Sequence, residues 1–234
     1  MKTQIKLFLI KASPSSDGVG QVILTEIKNY VSQEFDCKVE VFDQANENNK
    51  LSYWRSSVSQ FIEADQNDET VFEKNIMESD GIVIFSPVYL RQMPGEFKQT
   101  LDSFSYRMHE FPLIGKKMII FTYCMSNGAD DLTDYMKTIF TSAGAEITAR
   151  QMCFQAYHPI DESIKELKDN IKSMYMRIEN NLYSVTKTQE QLFQYYKNIV
   201  KEEIENGVVS NKQKRWFELM EYDSLCNYLE VMST

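Results

Sequence analysis

The chain has 234 residues, of which 43% are hydrophobic and 25% are charged, and it carries a net charge of -9 at pH 7. These values are typical of a globular protein that buries a sizeable core, either as one domain or as a domain with an appendage. The negative charge argues against non-specific nucleic-acid binding, which needs Lys and Arg to neutralise phosphates. No apolar run is long enough to span a bilayer and no signal peptide is predicted, so a cytoplasmic protein without membrane association is expected.

The cysteines and histidines offer little material for a metal centre. Four cysteines are widely scattered, and none forms a Cys-x-x-Cys pair, which argues against a zinc ribbon and an iron-sulfur cluster. Only two histidines are present, too few for a histidine-based metal site or a catalytic triad. We therefore expect no metal site and no catalytic side-chain constellation, and we interpret the cysteines as free thiols.

Apolar runs alternate with helical patterns over the first two thirds of the chain. Strands are predicted over Gln4 to Ile10, Cys37 to Phe42, Gly81 to Phe85, Lys117 to Tyr123 and Glu146 to Cys153. Helices are predicted over Val19 to Glu34, Glu69 to Ser79, Gly95 to Met108 and Asp130 to Ala143. Such alternation indicates a parallel sheet covered on both faces. Right-handed crossovers then favour a flavodoxin-like, doubly wound, five-stranded sheet of order 2-1-3-4-5, with its switch point between strands 1 and 3.

Two segments lie outside this alternation. Residues 43–68 are polar, with Trp54 and Phe61 embedded among Asn, Gln and Ser, and we predict a partly helical flap there. After Pro159 the apolar residues recur only at helical spacing, in three stretches. We therefore divide the chain into a flavodoxin-like domain, residues 1–158, and a helical extension, residues 159–234. The extension is expected to serve assembly or to form a lid.

The loop after the first predicted strand has the composition of an anion-binding turn. It contains Ser13, Ser15, Ser16 and Gly18, and a helix follows directly. Small residues at such a junction expose backbone N–H groups, and the helix N-terminus adds a partial positive charge that can hold a phosphate. An ordinary capped turn is the alternative interpretation. Neither the P-loop nor the G-x-G-x-x-G fingerprint is present.

The loops after strands 3 and 4 complete the candidate site. Pro87, Val88, Tyr89 and Leu90 follow strand 3, and a rigid turn with an aromatic ring suits a flat ligand in the crevice of a parallel sheet. After strand 4, the segment from Tyr123 to Ala129 contains a turn signal. The two residues that form this signal are Asn127 and Gly128. Plain strand-to-helix connections are the alternative for both loops.

Taken together, the loops after strands 1 and 3 resemble those of the flavodoxin-like NAD(P)H-dependent FMN reductase family. The residues that match the family's two motifs are Ser13, Pro14 and Gly18, and then Ser86, Pro87, Tyr89, Pro94, Gly95, Lys98 and Asp102. The residues that depart from its phosphate loop are Ala12, Ser15, Val19 and Gly20, where the family usually has Gly, Arg, Asn and Thr. The family's iron-sulfur branch carries a cysteine cluster where this chain has residues 50–56, which contain no cysteine.

The resemblance implies bound FMN, with NADH or NADPH as hydride donor and a quinone, a free flavin or another small molecule as acceptor. It implies that the phosphate meets Ser13, Ser15, Ser16 and Gly18. It implies that the ring meets Pro87, Val88, Tyr89 and Leu90 on one side, and Tyr123, Asn127 and Gly128 on the other. A homodimer is the assembly that the resemblance implies.

Two further hypotheses stay open at this point. One is an electron-transfer flavoprotein that serves a protein partner, and the other is a non-catalytic flavodoxin-like interaction protein. A phosphorelay receiver has the same topology, but it needs acidic residues at the end of strand 1. This chain has Lys11, Ala12 and Ser13 there, so we reject the receiver.

Overall fold

The computed structural model describes residues 4–46, 70–208 and 211–233. Most of the predicted flap, including Trp54 and Phe61, lies outside the described residues, as does the segment that replaces the cysteine cluster. Within the described part of the chain, no helix combines the length and the apolarity that crossing a membrane requires. The same part holds no group of three or more His, Cys, Asp and Glu side chains that could bind a metal ion.

Five parallel strands form one sheet in the order β2-β1-β3-β4-β5, which confirms the predicted flavodoxin-like topology. The strands are β1 (Ile5–Lys11), β2 (Cys37–Asp43), β3 (Gly81–Pro87), β4 (Lys117–Cys124) and β5 (Glu146–Phe154). Each extends one or two residues beyond its predicted carboxyl end. These extra residues matter because the strand ends carry the candidate site.

Helices cover both faces of the sheet. They are α1 (Val19–Glu34), α2 (Val71–Glu78), α3 (Gly95–Phe104), α4 (Ala129–Ser142) and α5 (Ile160–Glu179). Successive side chains of a strand point to opposite faces, so β1 contributes Leu7 and Leu9 to one core and Phe8 and Ile10 to the other. The first of these cores is closed by α1 and α5, and the second by α2, α3 and α4.

The remaining helices form a third core. They are α6 (Lys187–Glu205), α7 (Asn211–Leu219) and α8 (Leu225–Met232), and their apolar side chains pack against Phe111 and Ile114. The indole Nε1 of Trp216, which is fully buried, donates to the carbonyl of His109 at 2.9 Å. These contacts attach α6–α8 to the segment before β4.

Two helical predictions need correction. The helix predicted from Gly95 to Met108 ends at Phe104 and continues as a 3-10 helix, Ser105–Glu110. The helix α8 was not predicted, although Ser224 caps it by accepting a hydrogen bond from the N–H of Asn227. Its apolar stripe is only two turns long, which is too short for periodicity alone to identify.

Candidate functional site

The loops after β1, β3 and β4 lie at one edge of the sheet, because the carboxyl ends of parallel strands point the same way. Backbone hydrogen bonds join them. The N–H of Ala12 donates to the carbonyl of Phe85, and the N–H of Val88 donates to the carbonyl of Tyr123, both at 3.0 Å. Since α1 and α3 leave β1 and β3 on opposite faces, this edge is the topological switch point, where α/β sheets bind ligands.

The first loop leads into α1, whose first turn has no side-chain cap. Gly18 has φ of 81°, a conformation that favours glycine, and it precedes α1 without any side-chain hydrogen bond to the first turn. The first turn of α1 contains no acidic residue. Its N–H groups and partial positive charge therefore suit an anion.

The predicted phosphate residues of this loop differ in exposure and in partners. Ser16 is exposed, whereas Ser13 is buried and accepts a hydrogen bond from the N–H of Ser15 at 3.3 Å. The hydroxyl of Ser15 donates to the carboxylate of Asp17 at 2.6 Å, so that hydroxyl is already bound within the loop. The carboxylate also brings a negative charge to the loop, which opposes the binding of a phosphate.

Lys11 is a residue of this loop that the sequence analysis did not assign to the site. Its side chain is fully buried beneath the loop, with Nζ 2.7 Å from the carbonyl of Ser15 and 2.5 Å from Oδ1 of Asp43. The sequence signal was a lysine directly after the apolar run from Leu7 to Ile10. A buried ammonium requires a partner, and the register of β1 on β2, which sets Lys11 beside Asp43, supplies it.

The second loop is a tight hairpin that presents an aromatic ring. The N–H groups of Tyr89 and Gln92 each donate to the other's carbonyl, at 2.7 and 3.0 Å. Between them, Leu90 and Arg91 have φ of 50° and 65°. The two central residues of such a turn need positive φ, and glycine or asparagine usually occupies these positions. The side chain of Tyr89 is 49% exposed, and that of Leu90 is wholly exposed. Both therefore face solvent beside the loop that follows β4.

The third loop packs directly on the second. Gly128 has φ of 84°, and a Cβ there would lie 3.1 Å from Cγ1 of Val88 and 3.3 Å from Cα of Arg91. An ion pair between Arg91 and Asp131 also fastens the hairpin to α4. Asn127 is exposed at the rim. The structure thus brings Val88 of the second loop and Gly128 of the third loop together.

Tyr123 and Cys124 end β4 as buried residues. The ring of Tyr123 joins the core beneath α1, so its hydroxyl lies towards the first loop and not at the surface of the third. Burial raises the pKa of Tyr123, and the neighbouring Ser13 opposes that shift only in part. Burial also raises the pKa of Cys124, which favours the protonated thiol over the reactive thiolate.

Comparison with known proteins identifies the family. The model of the family described as NADPH-dependent FMN reductase matches residues 5–159, more than half of the chain. The chain therefore belongs to this family, as its two loop motifs predicted, and its class is that of the flavin-dependent oxidoreductases. No curated protein sequence matches the chain.

Solved structures of low sequence identity share the fold. An apo NADH:FMN oxidoreductase (EMOB) is 16% identical with a TM-score of 0.54, over 79% of this chain and 93% of its own. RosB, with a bound 8-demethyl-8-formylriboflavin-5'-phosphate intermediate, is 14% identical with a TM-score of 0.56, over 79% and 84%. An oxidoreductase from Corynebacterium diphtheriae is 19% identical with a TM-score of 0.51, over 73% and 96%. At these identities the likeness establishes the fold alone.

Proposed function

We propose that this chain binds FMN, takes a hydride from NADH or NADPH, and passes electrons to a quinone, a free flavin or another small acceptor. One observation carries the proposal. The start of α1, which has no side-chain cap, and the hairpin with the half-exposed ring of Tyr89 both lie at the switch point of the sheet. The first suits one phosphate and the second suits one flat ring. Family membership supports the same chemistry.

The chain's own groups have separate tasks in this proposal. The N–H groups at the start of α1, with the hydroxyls of Ser13 and Ser16, hold the phosphate. The hairpin from Pro87 to Leu90 contacts one face and edge of the ring, and Asn127 and Gly128 contact the other side. When bound, FMN supplies the hydride and electron chemistry. The chain positions the ring and leaves one face open to the donor and acceptor.

The visible spectrum of the purified protein mixed with micromolar FMN tests this assignment. Flavin bands that stay with the protein on gel filtration, and that bleach under anaerobic NADH or NADPH, are the expected result. Failure to bind FMN would contradict the proposal and favour the non-catalytic interaction protein. Bound FMN that neither nicotinamide bleaches would instead favour the electron-transfer flavoprotein.

We also propose a homodimer, with the extension of residues 159–234 serving assembly or closure of the site. Support comes from large apolar side chains that stay exposed on α6, α7 and α8, among them Tyr195, Phe217 and Met232. Contact with a partner surface would bury these side chains. Light scattering over a range of protein concentrations should give the mass of a dimer, and a constant monomer mass would contradict the proposal.

A further inference from the structure

The hydroxyl of Tyr123 lies against the first turn of α1, where it fills space that a side chain would otherwise need. A Cβ built on Gly20 would lie only 2.5 Å from this oxygen and 3.1 Å from Cβ of Ser13. The tyrosine is 5% exposed, and among the described residues its buried hydroxyl makes no hydrogen bond of normal geometry, although the Ser13 side chain is close enough to influence its pKa. Gly20 is therefore required at this position because the tyrosine oxygen occupies its side-chain volume.

An unpaired buried hydroxyl calls for an explanation, because a buried polar group without a partner costs free energy. The hydroxyl sits beside the start of α1, where the N–H groups also lack a side-chain cap. Burial keeps it protonated, so it is a hydrogen-bond donor. An unpaired donor therefore lies beside the positive end of a helix, and an oxyanion is the kind of group that would satisfy both.

We propose that the Tyr123 hydroxyl donates a hydrogen bond to the phosphate of bound FMN and replaces the side-chain hydroxyl that position 20 lacks. The proposal rests on the proposed function. A side chain at position 20, such as that of Thr, would collide with the tyrosine oxygen. Gly20 and Tyr123 are therefore a matched pair, in which the glycine makes room and the tyrosine supplies the donor. The structure assigns Tyr123 to the phosphate end of the site and not to the ring.

Comparing FMN with riboflavin, which has no phosphate, tests this assignment without an activity assay. By fluorescence titration, Tyr123→Phe should bind FMN about tenfold more weakly, the scale of one hydrogen bond to a charged group. Its riboflavin affinity should not change. The melting temperature of the ligand-free variant should stay the same or rise, because an unpaired buried hydroxyl has been removed. A purely structural hydroxyl would instead lower the melting temperature and weaken both ligands. Tyr30→Phe, at the far end of α1, is the matched control.

A second variant tests the pairing. Gly20→Thr alone should lose FMN affinity, because the new side chain meets the tyrosine oxygen. In the Tyr123→Phe background the atom that the new side chain would meet first is gone, and the substitution returns a hydroxyl, so the double variant should bind FMN more tightly than Gly20→Thr alone. Wild-type FMN affinity in Tyr123→Phe, or equal losses for FMN and riboflavin, would overturn this inference alone. A wild-type protein that binds no FMN would overturn the proposed function as well.

Discussion

Lys11 places a buried positive charge directly beneath the loop that precedes α1. Its ammonium is held by the carboxylate of Asp43 and the carbonyl of Ser15, which belong to two different segments of the chain. The lysine thus fastens the phosphate loop to the end of β2. A buried charge that loses its partner lowers the stability of the fold. Breaking such a pair is therefore destabilising, even where the intact pair adds little to stability.

We expect Lys11→Met to lower the free energy of unfolding by about 1 to 3 kcal/mol, because it removes the buried ammonium that contacts both the Asp43 carboxylate and the Ser15 carbonyl. Lys6→Met is the matched control. Lys6 also lies on β1 and pairs with Glu78, but both side chains are partly exposed, so its loss should cost at most about 1 kcal/mol. Urea unfolding of the ligand-free proteins measures both values. Equal losses in the two variants would contradict a special role for Lys11.

The pairing of Lys11 with Asp43 also illustrates what sequence reasoning could not reach. The two residues are 32 positions apart, and only the register of β1 on β2 sets them side by side. The Ser86 to Tyr89 turn could be recognised because all its determinants are local. The sequence did not predict that Tyr123 points inwards. Strand alternation predicts the face of the sheet on which a side chain lies, but it does not predict that the Tyr123 hydroxyl reaches Gly20, which follows β1 on the other side of β3.

At the scale of elements, the hairpin after β3 is the one site loop whose backbone is strained. Leu90 and Arg91 occupy left-handed conformations without being glycine or asparagine, which costs about 1 to 2 kcal/mol per residue. The leucine side chain is wholly exposed and recovers none of this cost by packing. Strain that persists at a ligand loop points to a requirement of the site.

Leu90→Asn should therefore raise the free energy of unfolding of the ligand-free protein by about 0.5 to 1 kcal/mol, because asparagine tolerates the left-handed region. Leu182→Asn is the control. Leu182 is half exposed and is not among the described residues with positive φ, so the same substitution should bring no gain. Denaturant unfolding of both variants gives the comparison. An unchanged stability for Leu90→Asn would show that the turn stores no strain.

The strands of the sheet domain could be predicted from the sequence to within two residues, because each apolar run is bounded by polar or turn residues, whereas the helix predicted to reach Met108 ends at Phe104. The helices after β5 were harder. Their stripes identified α5, α6 and α7, but a pattern of apolar residues does not reveal which surface covers it. The structure adds that α5 closes the face of the sheet shared with α1, whereas α6–α8 form a core of their own.

At the scale of the whole molecule, the edge of the sheet opposite the candidate site buries charge. Lys117 begins β4 with almost no exposure, and its Nζ lies 3.9 Å from the centre of the Tyr183 ring. Burial lowers the pKa of Lys117 from 10.5 to about 8. Between these two values the unfolded chain binds a proton that the folded chain does not, so this group makes stability rise with pH over that range.

We expect Lys117→Met to be more stable than the wild type below pH 8, by about 1 to 3 kcal/mol after the lost contact with Tyr183 is allowed for. The gap should narrow as the pH rises from 8 to 10.5, because the folded wild type then releases the proton that burial disfavours, while the unfolded chain keeps its proton. Comparing the two proteins at each pH cancels the contributions of the other titrating groups. Urea unfolding at pH 7, 8, 9 and 10 measures the gap. A gap that stays constant over this range would contradict the lowered pKa.

The extension can be dissected by comparing a fragment of residues 1–159 with one of residues 1–180. Four side chains of α5 complete the core beneath α1; they are Ile164, Leu167, Ile171 and Met174. Each buried apolar side chain of this size contributes about 1.5 to 3 kcal/mol, so their joint loss approaches the whole stability of a domain. We expect the 1–159 fragment to aggregate or to stay unfolded.

The 1–180 fragment keeps α5 and exposes chiefly Phe111 and Ile114, so it should fold, bind FMN and differ from the full chain mainly in assembly. Circular dichroism, light scattering and FMN titration of both fragments measure these outcomes. A 1–159 fragment as stable as the full chain would support the domain boundary predicted at residue 159, and it would show that α5 is not needed to close the core beneath α1.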